Sequence, residues 1–377
     1  MRGGPLAGKR IGLLTTWASR RNGGVFEAVA LHTQVLQSLG AVPVVVALAD
    51  EHSEADAPRF GGAERHLVSQ RSLDQFGYGP RLLDAALGAD LDLLHLHGIW
   101  HYASRVGARW KAATGRPYAI SPHGMLDPWV VGRNRWKKAI GRVVFEKASW
   151  RAADLFHALS EVEAREIALY TGLPEVAERT VAIPNPAPEP VAGEAERAPL
   201  VVHLGRLHAK KNLVGLMAGW ERALPDLPDG ARLRIAGWGS PEEVRAVEEG
   251  VTRIGASAEF LGPLYGEDKA ALLGSARFLA LPTYGEGLPM AVLEAWAHGT
   301  PTIMTAEARL PVGFERGAAL ECGTEADSIA AALRAGLTQT DDEWTGMADA
   351  ARALVAEEFS QAAVGRAWEA AYARLLG

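Results

Sequence analysis

The sequence predicts an α/β protein made of two parallel-sheet domains, and three observations carry that prediction. Short apolar runs alternate with helical segments along nearly the whole chain, a proline-rich stretch divides the series in two, and 377 residues exceed what one hydrophobic core ordinarily serves. In order, KRIGLLTT, AVPVVVALA, DLDLLHLH, PYAISPH, DLFHALS and TVAIPN read as buried strands. Between them GVFEAVALHTQVLQSLG, RWKKAIGRVVFEKASWRAA and EVEAREIALYTG have the helical period. PAPEPVAGEAERAP, residues 186–199, lacks any apolar period and reads as the linker. A second series follows in LVVHLGR, RLRIAGWG, AEFLGPL, ARFLALPT, TPTIMTA and AALECG, and QAAVGRAWEAAYARLLG closes the chain as an amphipathic helix. The expected divisions are residues 1–188, 189–358 and a final helical segment 359–377. Ligands of open parallel sheets bind beyond the carboxyl ends of the strands, so loops after strands, lining a cleft between the two sheets, are where functional residues are expected.

Composition narrows the class. Apolar residues at 48% and charged residues at 22% are those of a globular protein. The single cysteine, Cys322, has no disulfide partner and suits a reducing compartment, so a cytoplasmic location is expected. The run IGLLTTW near the start is too short and too polar for a signal segment, and no apolar run is long enough to span a bilayer. Charge is uneven: through Pro190 there are 22 Lys and Arg against 19 Asp and Glu, and beyond it 17 against 26. Part of the early excess lies in RNRWKKAIGRVVFEKASWR, residues 133–151, where basic residues alternate with Trp136, Val143, Val144, Phe145 and Trp150. That pattern fits an amphipathic surface helix, or a peripheral contact with anionic lipid at the inner face of a membrane. A net charge of −6 and the lack of a recognised nucleic-acid module argue against nucleic acid.

The stretch PTYGEGLPMAVLEAWAHGTP, Pro282 to Pro301, sets Glu286 in a glycine-rich loop and Glu294 eight positions later. Pro289 is suited to the first helical position, MAVLEAWAHG reads as the helix, and Gly299 closes it. Gly287 and Leu288 provide no side-chain cap, so the first N–H groups are expected to be free for an anion, beside two carboxylates able to grip hydroxyls. A ligand that is both phosphate and polyol meets those demands, and a nucleotide sugar is the obvious candidate. After LVVHLGR, the stretch GRLHAKKN places Gly205, Arg206, Lys210 and Lys211 beyond a strand end. Lysines there can simply face water, whereas an arginine at the end of a buried strand calls for an anion such as a diphosphate.

Weaker signals complete the set. Gly23 and Gly24, between the first strand and its helix, would let backbone N–H groups approach a phosphate, and the lack of G-x-G-x-x-G argues against a dinucleotide-dependent dehydrogenase. Gly237 and Gly239 in IAGWG are turn glycines that leave space for a nucleotide. HLHGIWH holds His95, His97 and His101; His95 and His97 fall on one face of a strand, and with no carboxylate or cysteine at matching spacing we expect core packing and no metal. His123 ends a strand ahead of Gly124 and can hydrogen-bond a sugar hydroxyl or a carbonyl, or serve only its own loop.

With GRLHAKKN and YGEGLPMAVLEAWAHGTP in view, the chain resembles the family-4 retaining glycosyltransferases of the GT-B fold, two Rossmann-like domains facing a central cleft. The likeness extends through GG, SPHGMLDPW, HALSEVEAREI, VAIPN, HLGRLHAKKN, IAGWG, FLGPLYGEDKAALL and EEFS, and SPHGMLDPW and LPVGFERGAAL look like segments of polysaccharide-building members. The resemblance implies an acceptor-binding first domain, a nucleotide-sugar-binding second domain and a last helix, after Phe359, that crosses back to the first. It implies that Glu286 meets donor-sugar hydroxyls with the N–H groups of Gly287 and Leu288, that Glu294 holds the ribose, and that Arg206 and Lys211 bind the diphosphate. It further implies His123 near the reacting sugar, Gly23 and Gly24 at the phosphate, and the backbone of Leu264 against the base. One departure is IPNP where the family commonly has IPNG, which stiffens the hinge at Asn185–Pro186. The implied reaction is hexosyl transfer, without metal or cofactor, from a nucleotide diphosphate sugar to a saccharide or lipid-linked acceptor. Rival readings are a nucleotide-sugar epimerase on the same architecture and a non-catalytic nucleotide-sugar-binding partner.

Overall fold

The computed structural model describes residues 4–71, 76–127, 141–189 and 197–377. Contacts divide the chain into two compact units, Met1–Pro186 with Gln361–Gly377, and Ala187–Ser360. In the first unit seven strands form one sheet: β1 Arg10–Trp17, β2 Val42–Ala49, β3 Glu64–Ser69, β4 Leu93–His97, β5 Tyr118–Ser121, β6 Leu155–Ala158 and β7 Thr180–Ala182. Their order is β3-β2-β1-β4-β5-β6-β7 and every pairing is parallel. Alternation sorts the side chains into two layers. Leu14, Val46, Leu94, Leu96, Ile120 and Phe156 pack on one face, and Leu13, Val45, Leu93, Ala119 and Leu155 on the other. The second face is covered by the helices Gly24–Ser38 and Gln361–Leu376, through Val29, Leu36, Val364, Trp368 and Tyr372 among others.

The second unit has six parallel strands: β8 Leu200–Leu204, β9 Arg232–Ala236, β10 Ala258–Gly262, β11 Phe278–Leu281, β12 Thr302–Met304 and β13 Ala319–Glu321, ordered β10-β9-β8-β11-β12-β13. Trp220 and Trp296, both fully buried, anchor its two core layers. Each indole N–H is satisfied, by Ser257 at 3.2 Å and Thr302 at 3.3 Å.

Two local readings need correction. Strand β3, ERHLVS, was not among the expected strands; it lies at the sheet edge with its inner residues only partly buried, and so lacks the continuous apolar run of the central strands. Residues 190–196 of the expected linker lie outside the described residues, but its end is anchored. The Arg197 guanidinium donates to the carbonyls of Leu273, Ala276 and His298 and to Thr300, and Ala187 N–H donates to the Phe359 carbonyl. The helix expected to begin at Pro289 runs Met290–Ala297 with Pro289 as its N-cap, and Gly299, at φ +64°, follows its end. Residues 133–140 of the basic aromatic stretch also lie outside the described residues. In the remainder, Val143 and Val144 are exposed while Glu146 and Trp150 are buried.

Candidate active site

Each sheet has one place where the chain leaves adjacent strands in opposite directions, and there a crevice opens at the carboxyl ends. In the second unit it lies between β8, which leads to β9, and β11, which leads to β12. The loops after these two strands carry Arg206, Lys211 and Glu286. They are tied together by hydrogen bonds: Tyr284 N–H donates to the Lys210 carbonyl at 2.8 Å, the Thr283 hydroxyl lies 2.9 Å from the same oxygen, and Tyr284 Oη donates to Asn212 Oδ1 at 3.2 Å. Asn212, in the left-handed region at φ +55°, caps the helix Leu213–Ala223 through Gly215 N–H. The loop after β12 joins them, since Glu286 N–H donates to the Glu307 carbonyl and the Thr305 hydroxyl to the Thr283 carbonyl.

Within this frame Lys211 Nζ lies 2.8 Å from Glu286 Oε1, with side-chain exposures of 20% and 12% that mark the pair as partly withdrawn from water. The Thr283 hydroxyl, with one proton to give, has this same oxygen at 2.8 Å and the Lys210 carbonyl at 2.9 Å as alternative acceptors. Glu286 Oε2 has no hydrogen-bond partner among the described residues, which leaves it able to accept from a hydroxyl. Arg206 departs from its expected setting: it is exposed, so burial does not oblige it to find an anion. No hydrogen bond or ion pair engages its guanidinium among the described residues, and it stands at the crevice as an available cation.

Glu294, just past the middle of the helix Met290–Ala297, pairs with Lys269 at 2.8 Å through Oε2. The helix start has no side-chain cap, and the N–H groups of Gly287 and Leu288 find no partner among the described residues. A Cβ at Gly287 would meet nothing within 4 Å, so the fold itself does not require glycine there. Gly237 is the opposite case. A Cβ there would lie 1.9 Å from the Gly205 carbonyl oxygen, so the space expected for a nucleotide is needed to bring the ends of β8 and β9 together. Gly205 itself sits at φ +144° and donates to the Ala236 carbonyl. Leu264, beyond β10, is half-buried, and neither its N–H nor its carbonyl has a partner among the described residues.

In the first unit the corresponding crevice lies between β1 and β4. Gly23, at φ +56°, is the uncapped start of the helix Gly24–Ser38, and a Cβ at Gly23 or Gly24 would meet nothing within 4 Å. His123 follows β5 in the left-handed region at φ +54°. The turn is held from below by buried Glu163, whose carboxylate accepts from Gly124 N–H at 2.6 Å and Leu159 N–H at 2.8 Å. Burial lowers the His123 pKa to about 3, with a smaller contribution from His157, so the ring is neutral at physiological pH. Its Nε2 lies 2.9 Å from His97 Nδ1, and the two rings stack at 5.2 Å.

His95 and His97 do share a face, and with His32 they place ring nitrogens within 4.8 Å of one another, close enough for a metal. Both His95 nitrogens are already engaged, by the Tyr372 hydroxyl at 2.6 Å and Ser121 Oγ at 2.7 Å. Sequence reasoning missed Glu163, Thr283 and the partners of His123. Ser160-x-x-Glu163 ahead of an apolar run was the available signal for the first, since Ser160 caps the helix Glu161–Thr171. No local pattern announces the others, which meet only in three dimensions.

Two family models match, the Glycosyl transferase 4-like domain over residues 23–186 and Glycosyl transferases group 1 over 198–339. The O-antigen chain mannosyltransferase B of Escherichia coli is 28% identical over 166 residues, 42% of either chain. The D-inositol 3-phosphate glycosyltransferase of Mycobacterium tuberculosis is 34% identical over 125 residues, 30% of this chain and 26% of that one. These matches span less than half the length of both curated relatives. Among solved structures, HepE of Anabaena in complex with UDP and glucose superposes with a TM-score of 0.75 at 17% identity, over 97% of this chain and 100% of that one. The same protein has been solved in complex with UDP-glucose. Parallel sheets of seven and six strands, superposed over nearly the whole chain on HepE, and glycosyl transferase models matched on both halves lead to one statement: the chain belongs to the family-4 glycosyltransferases of GT-B fold.

Proposed function

We propose that the protein is a retaining hexosyltransferase that moves a sugar from a nucleoside diphosphate to a hydroxyl of a saccharide or lipid-linked acceptor in polysaccharide or glycolipid assembly. The observation that carries this reading is the Lys211–Glu286 pair at the β8/β11 crevice, with exposed Arg206 on the same loop as Lys211. The nucleotide-sugar donor is further supported by the UDP and UDP-glucose held by the structural relative. Arg206 and Lys211 take the diphosphate, a planar fork and a point charge on oxygens that gain charge as the bond to the sugar breaks. Glu286 Oε2 and the N–H groups of Gly287 and Leu288 hold the sugar, Glu294 the ribose, and the main chain of Leu264 the base. Glycine at 24 and 287, where the fold has room for a side chain, supports close approach of a ligand to the backbone.

In the proposed step the anomeric carbon–oxygen bond breaks with its electron pair passing to the diphosphate. The acceptor oxygen forms its bond to that carbon from the same face, and its proton goes to a leaving phosphate oxygen. No protein nucleophile is required. A purified sample incubated with a sugar nucleotide and an acceptor panel, followed by NMR of the product's anomeric centre, tests this. Retained configuration supports the reading, and inversion or an epimerised donor without transfer sinks it.

A further inference from the structure

The face of the first sheet that is apolar at Leu93, Ala119 and Leu155 turns polar two residues later, at His95, Ser121 and His157. These groups are joined end to end. His157 Nε2 lies 2.7 Å from the Ile183 carbonyl, which can only accept, so a neutral His157 carries its proton on Nε2 and leaves Nδ1 bare. Ser121 Oγ, 2.6 Å from that Nδ1, must then donate to it. The serine oxygen receives the N–H of His95 Nε2 at 2.7 Å, and His95 Nδ1 accepts the Tyr372 hydroxyl at 2.6 Å. The Tyr372 oxygen accepts from His32 Nε2 at 3.3 Å, and His32 Nδ1 accepts from His97 Nε2 at 3.4 Å. His97 Nδ1 accepts from His123 Nε2 at 2.9 Å. One backbone carbonyl thus sets the direction of every bond in the series.

The premise is that each ring is neutral, and burial secures it. His157 is lowered to about 4 and His123 to about 3, while His32, His95 and His97 lie well below the ordinary histidine value. His123 is partly exposed, and its Nδ1 has no partner among the described residues.

We propose that this relay locks His123 in the Nε2–H tautomer and presents its bare Nδ1 as an acceptor for a ligand hydroxyl, making Tyr372 and Ser121 positioning residues for a site they do not touch. The ligand, which rests on the transfer reading above, is a hydroxyl of the sugar. An ether or carbonyl oxygen at the same place would face a lone pair and be disfavoured. The sequence left open whether His123 meets a hydroxyl or a carbonyl; the relay selects the hydroxyl.

The tautomer is measurable without any donor. Long-range proton–nitrogen spectra of histidine-labelled protein, with His123 assigned by its loss in His123→Asn, are expected to show a protonated Nε2 and a bare Nδ1. Tyr372→Phe cuts the series between His32 and His95, and Ser121→Ala cuts it between His95 and His157. Both variants are expected to give His123 a second tautomer while His157, still anchored by Ile183, keeps its own and reports an intact fold. Sugar-nucleotide affinity is expected to fall in Tyr372→Phe by the inverse of the fraction of His123 that keeps its proton on Nε2, about twofold for an even mixture. A protonated Nδ1 on His123 in the native protein, or one unchanged tautomer in all three proteins, overturns the proposal. If the tautomers are as stated and no sugar nucleotide binds, the relay stands and the transfer reading fails; transfer with Nδ1 protonated fails the relay alone.

Discussion

At the scale of single residues, Lys211 and Gly237 represent two different reasons for a residue to be where it is. Lys211 is held by Glu286 at 2.8 Å at the end of β8, where it can meet charge that grows on a leaving diphosphate. Replacing a group that stabilises developing charge lowers turnover by about two orders of magnitude, so Lys211→Ala and Arg206→Ala are each expected to do so with the fold intact. Near-normal steady-state rates in both variants would remove the diphosphate role. Gly237 serves the chain: with the Gly205 carbonyl 1.9 Å from a would-be Cβ, backbone must shift. Gly237→Ala is expected to lose roughly 1–3 kcal/mol or more of stability in urea denaturation, as overpacked sites do, and an unchanged midpoint would contradict the close approach. Sequence alone could not separate these glycines from Gly24 and Gly287, because the difference lies in which atoms of distant strands come near.

Among the elements, the buried strands were legible because both faces are covered and their sequences are nearly continuous apolar runs, as in VVHL of β8 or FLAL of β11. Edge strand β3 lacked that signal, and the anchoring of Arg197 at the end of the linker was not legible because its guanidinium is satisfied by carbonyls of residues far along the chain. His95 and His97 were placed on one face by period alone, but their partners His32, Tyr372 and His157 belong to other elements. This buried set makes a pH prediction. Above the unfolded value of 6.5 these histidines are neutral in both states and contribute no pH dependence. As pH falls below 6.5 the unfolded chain takes up protons that the folded rings refuse until about 4 for His157 and about 3 for His123. Each such ring therefore lowers stability by up to about 1.4 kcal/mol per pH unit in that window. Urea midpoints for the isolated transition should drop from pH 7 to pH 5, and a flat profile would show the rings to be accessible to protons in the folded state.

For the molecule as a whole, the class was readable from the alternation of strand and helix, and two motifs, GRLHAKKN and YGEGLPMAVLEAWAHG, marked the loops that meet at the β8/β11 crevice. What escaped was the support: Thr283 on Glu286, Glu163 under the His123 turn, and the exposed setting of Arg206. Among the described residues no helix is long and apolar enough to cross a membrane. On the proposed function the crevice between β8 and β11 takes a nucleoside diphosphate sugar. Thermal unfolding with UDP-, GDP-, ADP- and TDP-sugars tests it most directly, because a ligand bound only by the folded state at a hundredfold its dissociation constant adds about 2.7 kcal/mol. A rise of several degrees is expected with at least one of these sugars, lost in both Lys211→Ala and Glu286→Gln. No rise with any of them, or a rise that both variants retain, would contradict it.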